Sequence, residues 1–427
     1  MRFHFILAVI CSLLSVTFIY ADGIFDAIER GDSLTVRTLL AAQPDMLNTR
    51  GQDGLTPLNK AAYKGQLVIV RDLLALGADW RLGDNEASQP IHNAAIAGQT
   101  GVIELLLDKG ADINAQDING ETALLYTLFS RRFQTATRLL DRGADVKLSN
   151  TRGATPLHHA AALGNIELCR RLITMGADVN AGSRDGSTPL QSAALSGNLE
   201  LAGLLLDNGA NTEVANSYKR TPLLLVARER GDIAMATLLL DRGADINAVD
   251  RFEDTPLSLA AWRGFQGLID LLLERGAALP ATPERRVEVA SYCAERGLPK
   301  LLARLIDAGT DITRQNGAGK GFLHAAAAGG PDEICGMLLD QGLAVDAKDV
   351  YGRTPLHYAA ERGRTEACRL LLSRGASVDA RSVAGHSPFN LAREFGYDST
   401  AALLVEKGAS TVPPAFPRLE GPYLGQT

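Results

Sequence analysis

The sequence runs to 427 residues, 46% hydrophobic and 22% charged, a length that ordinarily corresponds to two or three globular domains. Its 43 Lys and Arg against 49 Asp and Glu leave a net charge of −6, which disfavours bulk nucleic-acid binding.

In chain order, residues 1–21 read as a secretory signal peptide: Met1-Arg2, an apolar run from Phe5 to Tyr20, then the small Ala21 before Asp22. A membrane anchor is the alternative, but a run that includes Cys11, Ser12, Ser15 and Thr17 falls short of the roughly 20 apolar residues a spanning helix needs. Cys11 follows Ile10, not the small residue of a lipid-processing site. The sequence contains no Asn-x-Ser/Thr acceptor for glycosylation, which leans toward a bacterial periplasm or exterior.

Residues 22–52 read as a truncated capping unit, with Ile24, Ala27 and Ile28 on a first helix ending at Gly31 and Val36, Leu39 and Leu40 on a second. From there eleven glycines stand in register, from Gly77, Gly110 and Gly143 to Gly375 and Gly408, at intervals of 33 residues with one of 34. Each follows a Leu-rich stretch such as Leu105-Leu106-Leu107, so each reads as the stop of a helix. A second ladder, from Gly65 and Gly98 to Gly363 and Gly396 with Arg131 out of place, closes a shorter helix that begins near a Thr-Pro-Leu. That tripeptide recurs at Thr56, Thr155, Thr188, Thr221, Thr255 and Thr354. Proline suits the first helical turn and the Thr before it caps. Between units, Gly-Ala-Asp-Ile/Val-Asn-Ala and Asp-x-x-Gly predict an extended strand and a turn.

Units begin near Gly51, Asp84, Asp117, Asn150, Ser183, Asn216, Asp250, Pro283, Asn316, Asp349 and Ser382. Two depart from the pattern. The 34-residue interval places one extra residue between Thr221 and Gly231, at Arg228-Glu229-Arg230, and the eighth unit replaces Thr-Pro-Leu with Pro283-Glu-Arg-Arg-Val-Glu-Val, a change that predicts altered curvature there. Residues 411–427, with Pro413, Pro414, Pro417 and Pro422, cannot continue the array and read as a disordered tail.

The unit Asp-x-x-Gly-x-Thr-Pro-Leu-His-x-Ala-Ala-x-x-Gly, followed by Leu-Leu-Leu-x-x-Gly-Ala-Asp, resembles the ankyrin repeat, best in 150–181 and 349–380. The resemblance spans roughly residues 22–410 and implies an all-α solenoid: about eleven helix-turn-helix units with β-turn tips over 53–410, behind the capping unit. Such arrays generally bind other proteins through surface positions the repeat does not dictate.

Candidate chemistry is thin. His92, His158, His324 and His357 share the slot after Thr-Pro-Leu or its counterpart, where the resemblance implies a hydrogen bond to loop backbone of the adjoining unit, and His159 and His386 lie away from any ligand cluster. Cys169, Cys335 and Cys368 share one position on the second helix, expected to be buried. Stacked units would hold them about 10 Å apart, beyond the roughly 7 Å Cα separation of a disulfide. Cys293 falls on a first helix. Gly317-Ala-Gly-Lys-Gly321 sits where other units turn and lacks phosphate-loop spacing. With no nucleophile elbow or zinc motif, the sequence points to no enzyme, cofactor or metal.

In an ankyrin unit the turn tip and the end of the first helix share one concave face, and the middle of this array concentrates Arg and aromatics there. The residues are Tyr218, Arg220, Arg228, Arg230, Arg251, Phe252, Trp262, Arg263, Arg285, Arg286 and Arg296. That composition is typical of interaction hot spots, and its charge fits an acidic partner. The expected protein is a non-catalytic, exported, monomeric scaffold, periplasmic or secreted, that binds another protein and no membrane once its signal is removed. A secreted host- or cell-directed effector and a membrane-anchored scaffold are the alternatives.

Overall fold

Proline at the first helical position and a hydroxyl before it decide where most repeats begin their first helix. In the computed structural model, which describes residues 23–412, Thr56, Thr188, Thr221 and Thr255 each accept the N–H of the third helical residue. A second helix of nine residues follows, such as Leu67–Ala75 or Thr365–Ser373, and ends at a glycine with φ between 79° and 92°. Arg131, which breaks the first-helix ladder, adopts φ 56° and so takes the glycine's conformation at a steric cost.

Small first helices and bulky second helices build the core. Paired alanines such as Ala61 and Ala62, or Ala326 and Ala327, are fully buried and let first helices approach closely, while Leu73, Leu172, Leu272 and Leu338 fill the space behind them. Each buried Leu contributes about 1.5 to 3 kcal/mol, and among the described residues the main helix contacts run within a repeat or between neighbouring repeats. The chain divides into two contact units at Tyr218 and Lys219, each an array of this kind.

Among the described residues the loops hold no sheet. Where an extended strand is expected between repeats, the described residues form turns and a single isolated bridge, Gln315 to Gly321. One side chain organises each turn instead: Asp117 Oδ1 accepts N–H bonds from Asn119 and Glu121, both at 2.8 Å, and Asp349 does the same for Tyr351 and Arg353. Asparagines at the base tie repeat to repeat, as when Asn114 accepts from Asp145 N–H and Asn247 from Ala278 N–H.

The histidine slot performs the same linking. His92 Nε2 meets Ala115 O at 2.8 Å and His357 Nε2 meets His386 O at 3.0 Å, while the Nδ1 atoms accept the N–H of Gln89 and Thr354. Since Nδ1 accepts, the proton sits on Nε2. Burial lowers the pKa of all four slot histidines, and that of His357 to about 4.

Both irregular repeats have local causes. The extra residue near Thr221 is Arg230, at φ −124°, and with it inserted Gly231 N–H reaches back to Val226 O, a bond that elsewhere falls to the residue after the glycine. In the eighth repeat the helix starts early and runs Pro283–Arg296, fourteen residues against eight in Pro256–Arg263. Arg285 and Arg286, expected on a turn tip, therefore lie in the first turn of a helix. Gly330, expected to end its helix with positive φ, has φ −78° and ψ 163° because Pro331 follows and drives it to extended backbone. Glycine is needed there for space: a Cβ would stand 2.4 Å from Ala294 O. The expected signal peptide, and the tail from Pro413 onward, lie outside the described residues.

Candidate interaction site

The eleven Arg and aromatic positions separate into groups with different partners. Tyr218, on a turn, closes the first contact unit and is 46% exposed. The other ten belong to the second.

At the ends of the first helices, the residues before the glycines are freed from packing because the chain reverses there. Pro222–Glu229 delivers Arg228 and Pro256–Arg263 delivers Trp262 and Arg263. The Arg228 guanidinium lies 5.2 Å from the centroid of the half-buried Trp262 ring, and that of Arg263 lies 5.5 Å from the same ring and 5.6 Å from Phe265. Two cations over one indole is a cation–π arrangement. Glu229 accepts from Arg228 Nε at 2.9 Å, Arg230 is exposed two residues on, and the exposed Arg296 of the next repeat packs beside Gly264. Phe265 packs over Gly231.

The turn tip before Pro256–Arg263 forms a second group. Asp250 accepts the N–H of Phe252 at 2.8 Å, which fixes the tip and leaves the Phe252 ring 50% exposed with Arg251 5.4 Å from its centroid.

Three of the predicted residues serve the scaffold. Arg220 is buried, and its Nε donates to Asp250 Oδ2 at 3.0 Å, where the carboxylate is fully enclosed. Arg286 turns away to the far end of its own repeat, where Nη1 donates to Ala308 O at 2.9 Å and caps the Pro299–Asp307 helix. Arg285 binds Glu288 at 2.7 Å and Asp254 at 3.5 Å and donates to Phe252 O. Burial pushes Glu288 up, but bonds from Tyr292 and Arg285 more than offset it and leave the carboxyl below its ordinary range. Burial keeps Asp254 above its ordinary value despite Arg285. Sequence position alone does not separate these three, since an arginine at a tip slot looks the same whether it reaches outward or back.

A further concavity lies apart from the eleven predicted positions, although Glu295, Arg353, Glu361 and Arg362 on its lining occupy the same tip and helix-end slots. A cleft of about 620 Å³ lies between Pro283–Arg296, Phe322–Gly329, Pro355–Glu361 and the turn around Asn316, with Arg314, Lys320, Arg353 and Arg362 among its lining residues. Its signal in the sequence was the lost Thr-Pro-Leu of the eighth repeat.

Chemistry elsewhere is muted. All four cysteines in the described residues are buried and unpaired, and burial pushes the thiols of Cys169, Cys335 and Cys368 up to about 12. Among the described residues no group of three or more His, Cys, Asp or Glu is placed to hold a metal, and no helix is long and apolar enough to cross a membrane.

Stacked helical pairs, glycine-ended and joined by side-chain-pinned turns, define a repeat scaffold whose variable positions are surface ones. Family models for ankyrin repeats match residues 24–117, 69–150, 124–216 and 290–382, and a second matches 224–273. The chain belongs to the ankyrin repeat family. None of these segments includes 274–289, where the early helix begins. Over 53 residues the chain is 49% identical to ankyrin repeat domain-containing protein 49 of Homo sapiens and 47% to that of Bos taurus. Those stretches cover 12% of this chain and 22% of each relative, so it spans under a quarter of their length. Among solved structures, the ankyrin repeat domain of Bcl-3, "a unique member of the IkappaB protein family", is 28% identical with a TM-score of 0.46, covering 51% of this chain and 97% of its own. Ankyrin arrays generally bind proteins and generally do so without catalysis.

Proposed function

We propose that this array is an exported scaffold, periplasmic or secreted, that captures a partner protein by rigid-surface recognition and without catalysis. The observation that carries the reading is the exposed Arg and aromatic surface of the second contact unit: Arg228 and Arg263 over Trp262, and Arg251 beside Phe252. Rigid aromatics bury large area with few rotors, and arginines beside them present planar donors to carboxylates. An acidic partner surface is the complement. Export rests on the signal-like residues 1–21.

Replacing Arg251, Phe252 and Trp262 together by Ala is expected to abolish capture of the partner in affinity pull-down of the mature chain from its own compartment, while the melting temperature shifts little. Unchanged capture would sink the assignment of the surface. Intact-mass measurement of the exported protein is expected to give a chain starting at Asp22, whereas an uncleaved N-terminus favours an anchored scaffold and accumulation in the medium a secreted effector.

A further inference from the structure

Turn tips in this protein are bonded to one another. Ile118 N–H donates to Glu86 O at 3.0 Å, and Thr151, Arg184 and Ser217 repeat the contact in the first contact unit. In the second, Val350 N–H donates to Ala318 O at 3.1 Å and Val383 N–H to Tyr351 O at 2.8 Å. The eighth repeat cannot take part, because Pro283–Arg296 has turned its tip into two turns of helix, and the Phe252 carbonyl receives the Arg285 guanidinium instead of a backbone N–H.

On the other side of that helix the missing tip leaves the 620 Å³ cleft, walled by Val287, Ser291 and Glu295 and floored by Phe322, Ala325 and Ala328. Its size suits a few side chains of an inserted segment. Four cations and two carboxylates line it, the reverse of the chain's acidic balance. Arg353 is held by Glu361 at 2.8 Å and Arg314 lies 3.8 Å from Asp311. Lys320 and Arg362 have no carboxylate within ion-pair distance among the described residues. The Lys320 ammonium stands 4.4 Å from the centroid of the Tyr358 ring, whose hydroxyl donates to Asp349 at 2.6 Å. Lys320 is half-buried, so its charge faces a partly dehydrated cleft without a counter-ion.

We propose that this cleft receives an extended segment of a partner protein through an Asp or Glu whose carboxylate binds Lys320 and Arg362. The Tyr358 ring and the apolar floor pack the remainder of the segment. The inference rests on the reading of the array as a protein-binding scaffold, but it uses residues distinct from the Arg251, Phe252 and Trp262 surface.

The probe is a phage-displayed library of random dodecapeptides selected on the full mature chain. Selection is expected to enrich peptides with a central Asp or Glu, and synthetic copies are expected to lose about tenfold or more in affinity against Lys320→Glu/Arg362→Glu and to weaken with salt. The same peptides are expected to bind the Arg251→Ala/Phe252→Ala/Trp262→Ala protein undiminished. Lys320→Gln/Arg362→Gln, which adds no repulsion, provides a milder loss, and melting curves of both double variants are expected to match the parent. Enrichment without acidic bias, acidic peptides that bind the charge-reversed protein equally, or no enrichment overturns the proposal. Peptides that lack acidic residues and bind the Trp262 surface would overturn it while leaving the scaffold reading intact. Self-association in sedimentation velocity that disappears in Lys320→Glu/Arg362→Glu would assign the cleft to a second copy and overturn it as well.

Discussion

Replacing His357 by Gln isolates the acid sensitivity that the histidine slot builds into the array. In the folded chain Nδ1 accepts the Thr354 N–H and Nε2 donates to His386 O, and burial lowers the pKa from an ordinary 6.5 to about 4. The lowering is offset in part by the bond to His386 O and added to by Arg353. With the folded value below the unfolded one, the unfolded chain binds more protons between them, so stability is whole above pH 6.5 and falls as acid is added. At about 1.36 kcal/mol per pH unit, the loss is about 2 kcal/mol by pH 5 and about 3 kcal/mol near pH 4, where it levels off. Gln191 shows that glutamine fits the slot: its Oε1 accepts the Thr188 N–H at 3.3 Å and its Nε2 donates to Val214 O at 2.9 Å. His357→Gln is therefore expected to match the parent near pH 7 and to lose about 2 kcal/mol less on acidification to pH 5, read as urea unfolding of the second contact unit. An equal acid loss in both proteins, or a His357 ring resonance titrating near 6.5, would refute the argument.

Arg220→Ala strands the enclosed Asp250 carboxylate and is expected to cost about 3 kcal/mol in urea unfolding, with Asp250→Asn added to it restoring most of the loss. Arg131→Gly is expected to stabilise by about 0.5 to 1 kcal/mol, seen as a higher melting temperature, because it relieves the positive φ of a residue that carries a Cβ. Gly330→Ala drives a Cβ into Ala294 O and is expected to cost about 1 to 3 kcal/mol despite its ordinary φ. The thiols of Cys169, Cys335 and Cys368, raised to about 12 by burial, are expected to resist a disulfide reagent at pH 8 until the chain is unfolded.

Most of the scaffold was legible because its signals are local. A Thr before a Pro caps a helix whatever surrounds it, and a glycine after a Leu-rich stretch ends one. The histidine slot was legible through the family pattern, and the structure adds its partners. Two features misled. Gly330 belongs to a ladder by spacing but is overruled by the proline after it, and the loops read as strands because their composition is extended even though Asx bonds, not a ladder, satisfy their backbone. The candidate surface was legible only in part. Which way an arginine turns depends on acceptors distant along the chain, so Arg220, with Asp250 of the next repeat, and Arg286, with the Ala308 carbonyl at the far end of its own, were indistinguishable from Arg251 along the chain. The cleft beside Lys320 goes with a tip that is absent, marked in the sequence by the lost Thr-Pro-Leu of the eighth repeat and by no residue of the cleft itself.

Arg285 gives one joint of the second contact unit a sensitivity its neighbours lack. Where Val350 and Val383 fasten tip to tip with neutral amides, Phe252 is fastened by a charge that also answers to Asp254 and Glu288. Counter-ions reach such a charge and barely affect an amide. Salt is thus a tuning screw for this one contact, tight in a dilute medium and slack in a concentrated one.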